Sequence, residues 1–506
     1  MTIDCDVVVY GGTASGIMAA LAAARAGRGV ALLEPGRHLG GMVSGGLGWT
    51  DIGDRRIIGG LTREFYARVA AHYGVGPWEI LGPEPHVAED LFRAWLAEAG
   101  VTVHYGARLG GVAREGRAIR AIATEAGERF AARVFIDAGY EGDLLAGSGV
   151  GYTVGRESVS LHGERWAGRQ PIRPDKHNFD APVSAFVSGN AGPLLPLIHE
   201  RPLVPEGDGD GGLQAYCFRL CLTDRSEKRI PFPRPEGYDP ARYELLRRYL
   251  AAAGSRVTLG LLLGLKGPLP HGKVDVNSIG PLSTNLLDGS NWAYPEATYA
   301  RRAAIWDDHL RYTAGLLYFL AHDPGVPPAM RAEMHGWGLC ADEFADTGGW
   351  PHQLYIREGR RLRGEYHLTQ HDLLGRRAQY DTVGLGAYNI DIREVQRVCL
   401  PVPRFPHLVG EVFNEGYLSL LVEPYAIPYR ALLPRHGECD NLIVPVCISA
   451  SHVAFSSVRM EPQYMILGHA AGTAAALAVA DGIAVQRVDP VALQRALVAQ
   501  GQVLAV

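Results

Sequence analysis

Two short apolar runs near the start of this 506-residue chain set its frame. Val7-Val8-Val9-Tyr10 and Val30-Ala31-Leu32-Leu33 are continuous, rich in β-branched residues and too short for helices, the pattern of strands buried on both faces. Between them, Ile17–Ala26 is Ala-rich and apolar over helical length, and Gly27 ends it. Gly11-Gly12-Thr13-Ala14-Ser15-Gly16 joins the first strand to the helix, and Glu34 closes the second strand. Strand, glycine-rich turn, helix, strand and acid in that order form a dinucleotide-binding unit. Gly11 permits the tight turn, and the loop backbone can approach a pyrophosphate. The helix start offers that group free N–H donors and a partial positive charge. Gly16 lets helix and strand pack closely. Glu34, 23 residues after Gly11, stands where an acid accepts hydrogen bonds from a ribose. Thr13 occupies the middle glycine position of the G-x-G-x-x-G pattern, a departure that the surrounding elements outweigh.

The same alternation continues. His86–Asp90 leads a helix over 91–99, Gly100 ends it, and Val101–Tyr105 is the next strand. Leu109-Gly110-Gly111-Val112 precedes two short antiparallel strands, at 119–124 and 128–131. Val134-Phe135-Ile136 runs into the turn Asp137-Ala138-Gly139, and Tyr140–Leu144 opens a helix. From about residue 152 this rhythm stops. Residues 165–240 are rich in Pro, Gly and Asp, which predicts long loops, and helices follow at 241–253 and 299–322. Leu442–Val446 reads as a core strand, and Gln463–Ala480 as a thin, Ala- and Gly-rich helix with Pro462 in its first turn. The chain therefore reads as α/β. A Rossmann-like domain (1–155) is interrupted by an α+β insert (156–430) and completed by residues 431–506.

Composition narrows the partners. Hydrophobic residues make up 47% and charged residues 20%, with a net charge of −5, so neither nucleic acid nor an anionic membrane surface is favoured. Seven scattered cysteines lack CxxC spacing, and an N-terminal region carrying Asp4 and Asp6 does not read as a signal peptide. No apolar run is long enough to cross a bilayer. These features together predict a cytoplasmic protein. His367 and His371 have helical i, i+4 spacing but no evident third ligand, so no metal is expected.

A second glycine cluster, Gly40-Gly41-Met42 and Ser44-Gly45-Gly46, follows Glu34-Pro35. With the first loop, the turn at 137–139 and the lead-in Ser451-His452…Arg459-Met460-Glu461-Pro462, it resembles the FAD-dependent oxidoreductases of the glutathione-reductase-like flavin fold. The likeness is greatest to a large bacterial group that carries the labels FAD-dependent oxidoreductase and xanthan lyase, and it covers most of the chain. The resemblance implies an FAD site built from Gly11, Gly12, Thr13, Ala14, Ser15, Gly16, Glu34, Pro35, Gly40, Gly41, Met42, Ser44, Gly45 and Gly46. It adds Val112 at the adenine edge, the segment Asp137, Ala138, Gly139, and Arg459, Met460 and Glu461 at the pyrimidine side. Asp137 reads equally as a turn acid, and Arg459 as the ion-pair partner of Glu461. The insert would cover the flavin and shape a substrate pocket.

The flavin carries the redox chemistry, so few catalytic groups are needed. His452 reads as a base near the ring or as a core histidine bonded to backbone. His371 is a further candidate. Where the family commonly has Asp-x-His, this chain has Asp391-Ile392-Arg393, a permanent cation that points to an anionic substrate group. Of Arg357, Arg360, Arg361 and Arg363, one or two are expected to bind a carboxylate. The expected activity is hydride removal from a small polar substrate, with Arg393 pointing to an anionic group on it and oxygen or another acceptor taking the electrons. A flavin monooxygenase and a non-catalytic flavin-binding protein are the alternatives.

Overall fold

The computed structural model describes residues 2–506 apart from 278, 376 and 378. Its centre is a mostly parallel sheet. β1 (Thr2–Tyr10) lies between β2 (Val30–Glu34) and β6 (Arg129–Asp137), and β3 (Thr102–Tyr105) extends the sheet beyond β2, all parallel. β4 (Leu109–Glu115) and β5 (Ala118–Thr124) form an antiparallel flap on the other side. The expected strands at 128–131 and 134–136 are one continuous strand, β6. Its first half pairs with β5 and its last residues pair in parallel with β7 (Leu442–Ile443), so one strand serves two partners on the same edge.

The helix after the first loop is α1 (Ala14–Arg25), three residues earlier than the apolar pattern indicates. The cause is Thr13, whose hydroxyl accepts from the Gly16 N–H and caps the helix, drawing Ala14-Ser15-Gly16 into its first turn. α2 (Gly60–Tyr73) and α3 (Pro85–Glu98) pack on the same side. The short α4 (Asp143–Gly147) follows β6. Val7, Val9 and Ile17 belong to the core on the α1 face, and Val8, Tyr10, Phe135 and Leu144 to a second core on the other.

Between residues 221 and 340 an antiparallel five-stranded sheet forms, in the order Leu265–Leu269, Lys273–Val276, Cys221–Thr223, Gly338–Cys340, Arg229–Ile230. The long helix α5 (Tyr299–His322) keeps its expected span. The expected helix at 241–253 covers Glu244–Ala253 behind a 3₁₀ turn at Pro240–Tyr243. The lead-in that starts at Ser451 folds as α6 (His452–Val458), capped by Ser451, and is followed by α7 (Glu461–Asp481). His367 and His371 do not share a helix face, because the helix there covers only Gln370–Leu373. No helix of the described residues is long and apolar enough to cross a membrane.

α7 lies directly on α1. A Cβ on Gly468 would stand 2.0 Å from the Ser15 carbonyl oxygen, and one on Gly472 would stand 2.1 Å from that of Ala19. Because 468 meets 15 and 472 meets 19, the helices run the same way and start at the same end of the sheet. Any side chain at 468 must force them apart. Gly468→Ala is expected to cost about 1–3 kcal/mol. The check is a lower urea midpoint at unchanged m-value; an unmoved midpoint would contradict this packing.

Candidate active site

A cavity of about 380 Å³ opens at the carboxyl ends of β1, β2 and β6. Gly11, Thr13, Glu34 and Gly139 line its floor, and Tyr299, Arg302 and Trp306 of α5 form its roof. These three roof residues recur at i, i+3 and i+7, one helix face, a signal present in the sequence but not used above. Arg302 fastens the roof by a two-pronged pair to Asp143 of α4 at 2.7 and 2.8 Å.

The first loop is shaped for close approach. Gly11 has φ +103°, and a Cβ there would stand 2.6 Å from the Gly139 nitrogen. A Cβ on Gly16 would fall 1.9 Å from the Gly11 oxygen. Thr13 has two tasks a glycine could not perform: it caps α1, and it donates to the Ala138 oxygen at 2.8 Å. Ala14 and the Ser15 backbone belong to the open first turn, and the buried Ser15 hydroxyl has no protein partner. Glu34 accepts from the N–H of Gly12 at 2.8 Å and of Gly36 at 2.5 Å. Burial still raises its pKa to about 7 against those two donors. Pro35 follows on the cavity wall.

The second loop runs alongside the first. Gly40 N–H donates to the Gly12 oxygen at 2.7 Å. Gly41 is close enough to Tyr140 that a Cβ would meet its hydroxyl at 2.3 Å. Met42 N–H donates to that hydroxyl at 2.9 Å. The Ser44 hydroxyl turns back to the Leu39 oxygen, while Gly45 and Gly46 abut Gln353 and the Arg219 backbone. Asp137 is a turn acid, accepting from Gly139 N–H at 3.1 Å and from Leu145 N–H at 2.7 Å; burial moves it up to about 7. Val112 packs against the second core and does not line the cavity; at that edge the wall is Arg108.

At the start of α7, Glu461 accepts from the Tyr140 hydroxyl at 2.7 Å. Arg459 does not pair with Glu461. It donates to the Tyr355 hydroxyl at 2.8 Å and to the carbonyl and carboxylate of Asp391 at 2.9 and 3.2 Å. Met460, the N-cap position, is buried between them. With Ser15, the second oxygen of Glu461 and both polar atoms of the Gln463 side chain are buried without protein partners. Glycine cradles, two helix starts and unpaired polar atoms at one end of the sheet suit a phosphate-bearing, ring-bearing cofactor.

The expected catalytic residues stand elsewhere. His452 begins α6 and is 1% exposed. Its Nδ1 lies 2.8 Å from Glu358, and its backbone N–H donates to Glu157 at 2.9 Å. Arg361 joins the same two carboxylates at 2.7 Å each. His371 is half-buried on its short helix, and neither histidine lines the cavity. Arg393 is buried beside Glu394 at 3.7 Å; burial opposes ionisation of that acid, but Arg393 and His177 hold it at about 2. Asp391 pairs with Arg459 and not with Arg393. Arg360 is engaged with Asp143 and Glu296.

Arg357 is different. It is 2% exposed and donates to the Ala215 carbonyl, Asn285 Oδ1 and Cys217 Sγ, and no carboxylate of the described residues pairs with it. Burial lowers its pKa, and the charges of Arg393 and Arg459 lower it further.

Two clusters have metal-ligand spacing among the described residues. In Glu84–His86–Glu343, the Lys273 ammonium already sits 2.6 Å from each carboxylate. In His38–Glu89–His352, the two rings stack at 3.9 Å and 10°, so their in-plane lone pairs run side by side instead of converging. Both ring nitrogens of His38 face acids, Glu89 and Asp346.

The FAD dependent oxidoreductase family model matches residues 6–497. The chain belongs to this family. The family is one of FAD-dependent oxidoreductases. No protein of curated function matches the sequence. Among solved structures, OxyS anhydrotetracycline hydroxylase from Streptomyces rimosus is 13% identical, with a TM-score of 0.26 over 36% of this chain and 42% of that one. Thioredoxin reductase from T. acidophilum is 20% identical, with a TM-score of 0.18 over 26% and 34%. A 3-ketosteroid-Δ4-(5α)-dehydrogenase from Rhodococcus jostii RHA1 is 15% identical, with a TM-score of 0.20 over 27% and 45%. The chain spans less than half the length of each of these.

Glu34→Ala is expected to weaken FAD binding by about ten- to a hundredfold, the worth of hydrogen bonds to a charged acceptor. Only the ionised acid accepts two hydroxyl donors. Affinity should therefore fall as pH drops below about 7, and Glu34→Gln should remove that dependence. Flavin fluorescence quenching on titrating apoprotein with FAD measures both.

Proposed function

We propose that this protein binds FAD in the manner of the glutathione-reductase-like fold and removes a hydride from a small polar substrate bearing an anionic group. In this reading the start of α1 faces the pyrophosphate and Glu34 holds the ribose. The Gly40–Gly46 loop lies along the ring system, and the start of α7 faces its pyrimidine edge, where a helix N-terminus favours negative charge. FAD, when bound, supplies the hydride acceptor.

The observation that carries the substrate class is the buried arginine group. Arg357, Arg393 and Arg459 lie close enough for their charges to act on one another, and Arg357 has no carboxylate partner among the described residues. A buried guanidinium without an anion is costly, and a substrate carboxylate would offset that cost with two-pronged hydrogen bonds. We assign Arg357 and Arg393 to the substrate anion. His452 is assigned a positioning role: its ties to Glu157 and Glu358 set the start of α6, whose far end delivers Arg459. The seven free cysteines support a reducing cytoplasm.

Anaerobic mixing of the FAD-loaded protein with hydroxy acids, amino acids, neutral alcohols and sugars tests the proposal. Bleaching by an acid but not by its amide or ester is the expected result. Arg357→Gln should then raise the substrate concentration for half-maximal bleaching at least tenfold, with bound FAD retained. Bleaching by neutral substrates alone, or NADPH oxidation stimulated by substrate, would overturn it.

A further inference from the structure

Behind Tyr140, a residue of the cavity wall, lies a buried carboxyl group with no role assigned so far. Glu461 is the first residue of α7 and is 4% exposed. Its Oε1 accepts from the Tyr140 hydroxyl, which in turn accepts from Met42 N–H in the second glycine loop. Its Oε2 is enclosed and has no partner. No lysine, arginine or histidine of the described residues pairs with it. The titratable groups around it are phenols: Tyr140, Tyr66 on α2 and Tyr464 one turn along α7. The nearest cation in sequence, Arg459, is directed to Asp391 and Tyr355.

An ionised carboxylate enclosed with one phenol donor and no cation would be several kcal/mol too costly, and such a group takes up a proton instead. We propose that Glu461 works as a neutral carboxylic acid, whose Oε2 proton is a hydrogen-bond donor for an acceptor atom of the ring system held between the Gly40–Gly46 loop and the start of α7. Tyr140 fixes the orientation of the acid, since its hydroxyl already occupies Oε1. A carbonyl or ring-nitrogen acceptor of a heteroaromatic cofactor is the matching chemistry. The use of the proton rests on the FAD reading above; the protonation itself does not. Burial raises the Glu461 pKa to about 8, opposed by the Tyr140 hydrogen bond. Above that pH the site would lose a donor and gain a negative charge facing the ring.

Infrared difference spectra of wild-type apoprotein against Glu461→Gln, recorded from pH 6 to pH 9.5, test the assignment. The expected result is a protonated-carboxyl carbonyl band at pH 7 that fades with a midpoint near 8 and belongs to the wild type alone. Tyr140→Phe removes the phenol donor and should move that midpoint upward. It provides a second variant should the glutamine change disturb folding. With FAD present, wild-type affinity should fall about fivefold between pH 7 and pH 9, in line with a coupled shift near one pKa unit, while Glu461→Gln shows no such fall. A missing band at pH 7, or a midpoint indifferent to Tyr140→Phe, overturns the proposal. A band that behaves as expected in protein unable to bind FAD would refute the cofactor reading and leave the protonation standing.

Discussion

The close contact of α1 with α7 is the constraint on which the site depends. Two helices whose backbones touch through Gly468 and Gly472 must run parallel in fixed register, with the open N–H groups of α7 about 9 Å beyond those of α1. One start belongs to the glycine loop after β1. The other belongs to the segment that leads in from α6. Neither alone offers more than the usual half-charge of a helix end. Side by side, they build a strip of donors long enough to serve two separated parts of one elongated ligand.

Buried ion pairs link the rest of the molecule to that frame. Arg361 ties Glu157, near the start of the insert, to Glu358, which holds His452 of the returning chain. Arg156 joins Asp210 and Glu415 beside them. Lys273 joins Glu84, at the start of α3, to Glu343 of the insert. Such pairs add little net stability over a well-packed apolar core, yet breaking one leaves a stranded charge. Their effect here is geometric, since each connects segments far apart in sequence and fixes how the inserted elements stand over the sheet.

Much of the frame was legible in the sequence because its signals are local. The strands at 7–10 and 30–33 and the helix at 299–322 follow from apolar runs and breakers. The early start of α1 required seeing Thr13 as a cap, although its hydroxyl stood in the expected pattern. α6 was missed because Ser451-His452-Val453-Ala454 reads as loop when the resemblance directs attention to α7. The pairing of Arg459 with Asp391, the stranded Arg357 and the Tyr140–Glu461 contact were not legible. Each joins residues tens to hundreds of positions apart, and only the folded chain determines which acids reach which guanidiniums. The run from Arg357 to Arg361 illustrates this: three similar side chains within five residues meet, respectively, no acid, a pair of surface-side acids and a pair of core acids.

The divided partnership of β6 has a consequence for the order of assembly. Its first half closes with β5, which is made just before it, whereas its last residues wait for β7, some three hundred positions later. During synthesis the parallel half of the sheet therefore stands with an uncovered edge while the whole insert emerges, a slow, non-local closure. The start of α7 meets the second glycine loop only when the final helices dock, so the last donors of the site are the last to be put in place.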